Sequence, residues 1–529
     1  MLLLYNANIY QKNKHPANAM VFDKGCIIAV GTDEDILNGF SAAKKKINLE
    51  GKTIWPGLTD SHVHLQLLAA NFAKINCETK SSGECLARIK EKTEKLPAES
   101  WVLGHGWNHN NWEEGYGNAK ILDQVCGGRP AYLTSKSLHS AWVNSTALEL
   151  AGIDAQAPEP AGGTIMRDAS GEPTGILLEA GAMSLVESRI PKPSLQDNIR
   201  DIQALIPELW RMGLVGIHDF DGIDCWNALR EIHQKQQLKF RVRKHIPYDH
   251  LQHFIDAGIH TNDGDDWMHI GGVKLFADGA LGPQTAAMQQ PYENTNHSGT
   301  LLLTEAEIIE IGRFAVVNGI SLAIHAIGDR ANHVVINGLE NIINYQKAKH
   351  LPILNHRIEH VQIIDPIDIA RIADLGLIAS VQPVHAPSDM QMADRYLGKR
   401  AENAYTYKSI LDSGALMIFG SDAPVEPVNP FLGIHAAVTR RRIDGAPGLD
   451  GWNPGQRIEL ESALNAFSSQ PAFVSNRGDH LGKIEAGYRA DFLVLVKDPF
   501  KEDPDLIPLI QPSATFIDGT CVYQAEALF

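Results

Sequence analysis

Eight short apolar runs rich in β-forming residues, with helix-forming stretches between them, limit what this chain can fold into more than any other feature. They cover residues 53–64, 215–220, 240–246, 270–276, 322–325, 357–361, 377–381 and 417–420. Strands alternating with helices imply a parallel sheet, and eight such units are what a (β/α)₈ barrel requires. The first and second runs are about 150 residues apart, too far for one helix and a loop. Residues of about 66–210 are therefore expected to form an insertion subdomain over the mouth of the barrel.

The two ends of the chain read differently. Alternating runs at 2–10, 19–23, 26–30 and 46–49, with Lys24-Gly25 as a hairpin turn, describe a small β unit. The same texture returns at 487–495 and 514–519. The expected organisation is a composite β-sandwich from 1–55 and 476–529, enclosing a barrel domain at 56–475.

Composition removes several function classes. The 529 residues are 44% hydrophobic and 21% charged, ordinary for a globular protein with a sizeable core. A net charge of −16 without a basic patch argues against nucleic acid or an anionic membrane surface, and for a small-molecule ligand. The six cysteines form no C-x-x-C pair, so neither a disulfide framework nor a thiolate zinc site is expected, and reduced thiols in a cytoplasm are. The opening Met1-Leu2-Leu3-Leu4-Tyr5 is too short for a signal peptide, and no run approaches the roughly 18–20 apolar residues of a membrane span. A homodimer is the base-rate expectation for assembly.

Barrels of this kind place their chemistry at the C-terminal ends of the strands. There the first run carries His62 and His64, and in extended chain residues i and i+2 point to one side, so the two imidazoles can converge on a metal ion. The fourth run carries Lys274, the fifth ends at His325, the sixth holds His360, and Asp422 follows the eighth. Singly, each has an ordinary reading: an ion-paired lysine, hydrogen-bonded histidines, an aspartate capping a helix. Together they point to a metal centre.

Further segments extend the pattern: Gly162-Gly163-Thr164-Ile165, Gly171-Glu172-Pro173-Thr174-Gly175, Asp278-Gly279-Ala280-Leu281-Gly282, His325 to Arg330, Gln382-Pro383-Val384-His385 and Gly487-Tyr488-Arg489-Ala490-Asp491. With them the chain resembles, over nearly its whole length, the amidohydrolase superfamily of metal-dependent hydrolases, and within it the amidohydrolase-3, YtcJ-like group related to N-substituted formamide deformylases. The resemblance implies that His62, His64, Lys274, His325, His360 and Asp422 are the metal-centre residues. It also implies that CO₂ carboxylates Lys274 to a carbamate bridging two ions. A protonated lysine is repelled by a divalent cation, so its derivatisation is physically sensible. Zinc is the first choice of metal, as one or two ions, with manganese, iron or cobalt tolerated.

The expected activity is hydrolysis of a non-peptide carbon–nitrogen bond, in an amide or N-substituted formamide, by attack of metal-bound hydroxide. Asp422 is the candidate general base, grouped with Lys274 and His325 as catalytic. Asp60, Glu359 and Asp329 are the nearby carboxylates expected to orient histidines. Candidate substrate contacts are Trp107 and His109 in the segment 105–112, with His139, Arg167 and His385. His218 and Asp278 are rim positions of weaker promise, and Asn108 stands where the group often has an acidic residue. Alternatives are a lactone, ester or cyclic-amide hydrolase using the same site, and a non-catalytic metal-binding sensor.

Overall fold

The computed structural model describes residues 1–11, 16–97, 99–109, 112–137 and 139–525, which divide into two compact units, Met1–Leu68 with Ile202–Phe529, and Ala69–Asp201. Asn110 and Asn111, part of the candidate substrate segment, lie outside the described residues. Among the described residues no helix is long and apolar enough to cross a membrane.

The first unit contains the barrel. Its strands are β1 (Leu58–Val63), β2 (Leu214–Asp219), β3 (Arg241–Pro247), β4 (Met268–Phe276), β5 (Leu322–Ala326), β6 (Arg357–His360), β7 (Ile378–Val381) and β8 (Leu416–Phe419). Each pairs in parallel with its neighbour, in chain order. The ring nearly closes where Asp422 N donates to His62 O (2.8 Å) and His64 N to Ala423 O (2.9 Å). Gly420 permits that approach, since a Cβ there would stand 2.5 Å from His62 N.

Two runs that read as single strands are each broken in two. Residues 53–64 divide at Gly57: Thr53–Pro56 pairs antiparallel with Phe492–Leu495, and only Leu58–Val63 enters the barrel. A side chain at Gly57 would place its Cβ 2.5 Å from Val215 Cγ1, so the crossing from one sheet to the other needs glycine. Residues 2–10 divide at Asn6, which adopts φ +53°, a left-handed conformation asparagine tolerates. Leu2–Tyr5 then joins a four-stranded sheet and Asn8–Ile9 a five-stranded one.

Those two sheets pack face to face, with Leu4, Met20, Phe22 and Ile27 meeting Phe492, Val494 and Phe516. Phe492 and Phe516 stack at 4.4 Å between ring centroids. Both chain ends therefore share one apolar core. The late Gly487–Asp491 segment fixes this sandwich to the barrel floor. Asp491 accepts two hydrogen bonds from Arg241 of β3, at 2.5 and 2.9 Å, and one from Asp518 N at 2.8 Å.

The second unit is built on a six-stranded mixed sheet in the order Thr164–Arg167, Pro173–Leu178, Ser140–Val143, Ala131–Ser135, Val102–Trp107, Ile75–Asn76. Trp107, Trp112 and Trp142 form the centre of one of its apolar clusters.

Candidate metal centre

Every histidine expected at the metal centre spends one ring nitrogen on a protein acceptor and keeps the other. His62 Nδ1 lies 2.7 Å from Glu359 Oε2 and His64 Nδ1 lies 3.1 Å from Asp221 Oδ1. His360 Nδ1 lies 2.8 Å from Gln382 Oε1, and His325 Nε2 donates to Gly279 O at 2.9 Å. An imidazole whose N–H is fixed in this way presents the lone pair of its other nitrogen, the form a metal needs. The free Nε2 atoms of His62 and His64 stand 3.6 and 3.4 Å from Asp422 Oδ1. These three residues bring ligand atoms within 4.8 Å of one another, close enough to hold a metal ion. The His62, His360 and His325 rings follow one another at centroid separations of 4.9 and 4.5 Å.

The cluster lines a cavity of about 390 Å³ at the C-terminal ends of the strands, together with Lys274, Gln362 and His385. Two of the expected ligands are held in unusual backbone: His360 has φ +76° and Asp422 φ +60°. Non-glycine residues in this region cost free energy and collect where geometry is constrained by function.

Electrostatics keep most of the rings neutral. Burial, then the charge of Lys274, lowers His62 to about 4 and His325 to about 3. Burial, then His325, places His360 well below the usual histidine range. Burial acts the same way on His64, but its hydrogen bonds to the carboxylates of Asp221 and Asp422 outweigh it and raise the ring to about 9. Lys274 is brought down to about 8, chiefly by burial, with its Nζ 4.7 Å from the Phe220 ring centroid and 4.9 Å from that of Phe276. Burial opposes the charge on Glu359 as well; Arg357, then His62, prevail and hold its carboxyl well below the usual range. Three neutral imidazoles, a lysine that sheds its proton readily and ionised carboxylates form a donor set that suits a divalent cation, which would displace the proton held on His64.

Of the carboxylates expected to orient these rings, only Glu359 bonds to one. Asp60 receives the backbone N–H of His62 (3.1 Å) and Ser421 (3.0 Å), so it shapes the closure between β1 and β8 instead. Asp329 accepts from Gln289 N and Arg330 N at the start of its helix and orients no imidazole. Asp278 receives three backbone N–H groups, from Ala287, Ile327 and Gly328, which fixes the loops after β4 and β5. The residue missed by sequence reasoning is Asp221. It repeats in Asp219-Phe220-Asp221 the i, i+2 spacing that singled out His62 and His64, at the end of the adjoining strand. A second group, Asp219, Asp221 and Cys225, also has metal-ligand spacing. The buried Lys244 ammonium already occupies it, 2.8 Å from Asp219 Oδ2 and donating to Asp221 O.

His385 stands on the cavity wall, its Nδ1 3.1 Å from Gln362 Nε2 and its buried Nε2 without a hydrogen-bond partner. His218 is a satisfied interior residue, its Nδ1 accepting from Arg357 Nη1 at 2.9 Å. The remaining candidates belong to the second unit. Trp107 is fully buried there and donates to Leu133 O at 2.7 Å, the environment of a packing anchor rather than a pocket wall. His109 stacks on Tyr116 at 3.9 Å. His139 is exposed and lies 3.0 Å from Glu179. Arg167 donates to the carbonyls of Asp154, Gly171 and Ala157, which accounts for its guanidinium without a substrate carboxylate.

Residues 45–523 match the model of the amidohydrolase family. The putative amidohydrolase YtcJ of Bacillus subtilis is 31% identical over 517 residues, covering 96% of each chain. The N-substituted formamide deformylase of Arthrobacter pascens is 28% identical over 541 residues, covering 99% of this chain and 98% of that protein. A metal-dependent hydrolase of Pyrococcus furiosus superposes with a TM-score of 0.75 at 27% identity, covering 94% of this chain and 100% of that one. The chain belongs to the amidohydrolase family, whose model begins at residue 45 and takes in the barrel, the second unit and the C-terminal strands.

Proposed function

We propose that the chain hydrolyses the carbon–nitrogen bond of an N-substituted formamide or a related non-peptide amide. The observation that carries this reading is the shared state of the three imidazoles of His62, His325 and His360, each oriented by an acceptor and kept neutral, with His64 and Asp422 closing the cluster beside them. The similarity to a formamide deformylase along almost all of both chains supports the substrate class. His62, His64, His325, His360 and Asp422 would hold the metal, zinc by preference, with Lys274 joining them as a carbamate. A divalent ion so held supplies a Lewis acid for the substrate carbonyl and makes a water acidic enough to attack near neutral pH.

The chain's own residues move the protons. Asp422, held ionised because the His64 hydrogen bond and the nearby imidazoles outweigh its burial, takes a proton from the attacking water on Oδ1. It returns that proton to the nitrogen, which leaves as an amine while the acyl carbon keeps the water oxygen as a carboxylic acid. His385 Nε2 offers a hydrogen-bonding atom to the substrate from the wall. Lysine with a lowered pKa is the form that reacts with CO₂, which favours carbamate formation at Lys274.

The test is metal analysis of the purified protein together with hydrolysis assays on formamides, simple amides and lactones, run beside Asp422→Asn. Turnover of formamides or amides, lost in the variant, is expected. A metal-loaded protein that opens lactones alone overturns the substrate class. An unimpaired Asp422→Asn overturns the proton route.

A further inference from the structure

The opposite end of the barrel holds a second cavity. The first residues of β1 to β4 and the segment 468–482 surround a cavity of about 40 Å³, room for a small number of water-sized particles. Three guanidinium groups line it, Arg241, Arg243 and Arg477, against two carboxylates, Asp266 and Asp491. Arg241 is paired with Asp491, and Arg477 Nε lies 3.5 Å from Asp266. Arg243 is left over: among the described residues no carboxylate lies within ion-pairing distance of it. It is 2% exposed, its Nη1 donates to neutral acceptors, Asn262 Oδ1 (3.2 Å) and Val474 O (3.1 Å), and its Nε has no partner. Beside it His269, 5% exposed, leaves both ring nitrogens unpartnered.

We propose that this cavity binds a small monovalent anion of halide size, held by Arg243 and His269. A buried charge requires a counter-charge as well as hydrogen bonds, and water supplies only the latter. The lining carries one excess positive charge and the space is small, so one monovalent ion balances it and a multiply charged oxyanion does not. Burial, then Arg357 and Arg477, depresses Arg243 to about 9, the strain that a bound anion relieves. The residues involved are separate from the cluster at the mouth, so anion occupancy is a property of the fold and does not depend on the reaction assigned above.

The experiment uses the full-length, metal-loaded protein. Crystals soaked in sodium bromide are expected to show an anomalous peak between Arg243 Nε and His269. At equal ionic strength the melting temperature is expected to be about 1–3 °C higher in sodium chloride than in sodium gluconate, saturating with concentration. Arg243→Gln is expected to abolish that difference. Ordered water alone in the bromide map, or equal melting temperatures in the two salts, overturns the proposal; stabilisation by sodium formate but not by chloride overturns the halide-sized assignment. Should Arg243→Gln fail to fold, the wild-type bromide map decides alone.

Discussion

The mouth and the floor of one barrel both carry polar residues and treat them in opposite ways. At the mouth, the imidazoles of His62, His64, His325 and His360 each have one nitrogen fixed by the protein and one free, and most are kept uncharged. At the floor, the groups are permanently charged arginines, and Arg241 is closed off by Asp491, with both nearly inaccessible to solvent. Between them Arg357 grips the Glu359 carboxylate while also reaching Ser61 O and Ser380 Oγ. The rings at the mouth are left partly unpaired, as a metal site requires, whereas at the floor the completed Arg241–Asp491 pair joins the sandwich to the barrel and Arg243 alone is left without a counter-charge. The comparison therefore predicts that damage at the mouth removes activity and spares the fold, and that damage at the floor does the reverse.

The largest effect is expected from Asp422→Asn. Removing a positioned base costs about 10²–10⁴ in rate, so kcat of the metal-loaded variant should fall by that factor while its urea unfolding midpoint stays near wild type. A variant that unfolds early but turns over normally would make Asp422 a structural residue and dissolve the contrast. Next comes Asp491→Ala at the floor. It strands Arg241 without its partner, and breaking a buried ion pair from one side costs about 3–5 kcal/mol. The unfolding midpoint should drop accordingly, with kcat little changed at temperatures where the variant remains folded. A parallel loss of kcat would show that the two ends are coupled, with the Arg357–Glu359 pair as the connecting element.

The mouth was far more legible in the sequence than the floor, for a physical reason. Metal-ligand candidates sit at the ends of strands, where apolar β-rich runs stop and His or Asp begins, so the strand boundary and the candidate ligand mark the same positions. The barrel strands could be placed for the same reason, since each is a buried run bounded by loops. Arg243 and His269 lie near strand beginnings and read as ordinary polar residues, and one of the two acceptors of Arg243 Nη1, Val474 O, comes from a segment 231 residues away. The two broken runs escaped because a single residue, Gly57 or Asn6, redirects the chain without interrupting its apolar pattern. Trp107 invited a pocket reading because indole suits both pockets and cores, and only its complete burial against Trp112 and Trp142 decides between them.

The smallest of the three effects tests whether orientation alone matters at the mouth. Asp221 reaches no cavity-lining position of its own and acts through His64 Nδ1, while also receiving the backbone N–H groups of Gln66 and Leu67. Asp221→Asn keeps the size of the side chain and can still accept from His64, but it removes the charge that raises the basicity of the ring. Loss of such a partner weakens metal binding about 10–100-fold, which chelator competition would measure directly. Saturating metal should then restore most of kcat, unlike in Asp422→Asn, where added metal cannot replace the base. If metal affinity is unchanged, His64 is oriented by the backbone around it and not by Asp221, and the distinction between mouth and floor would rest on the free ring nitrogens alone.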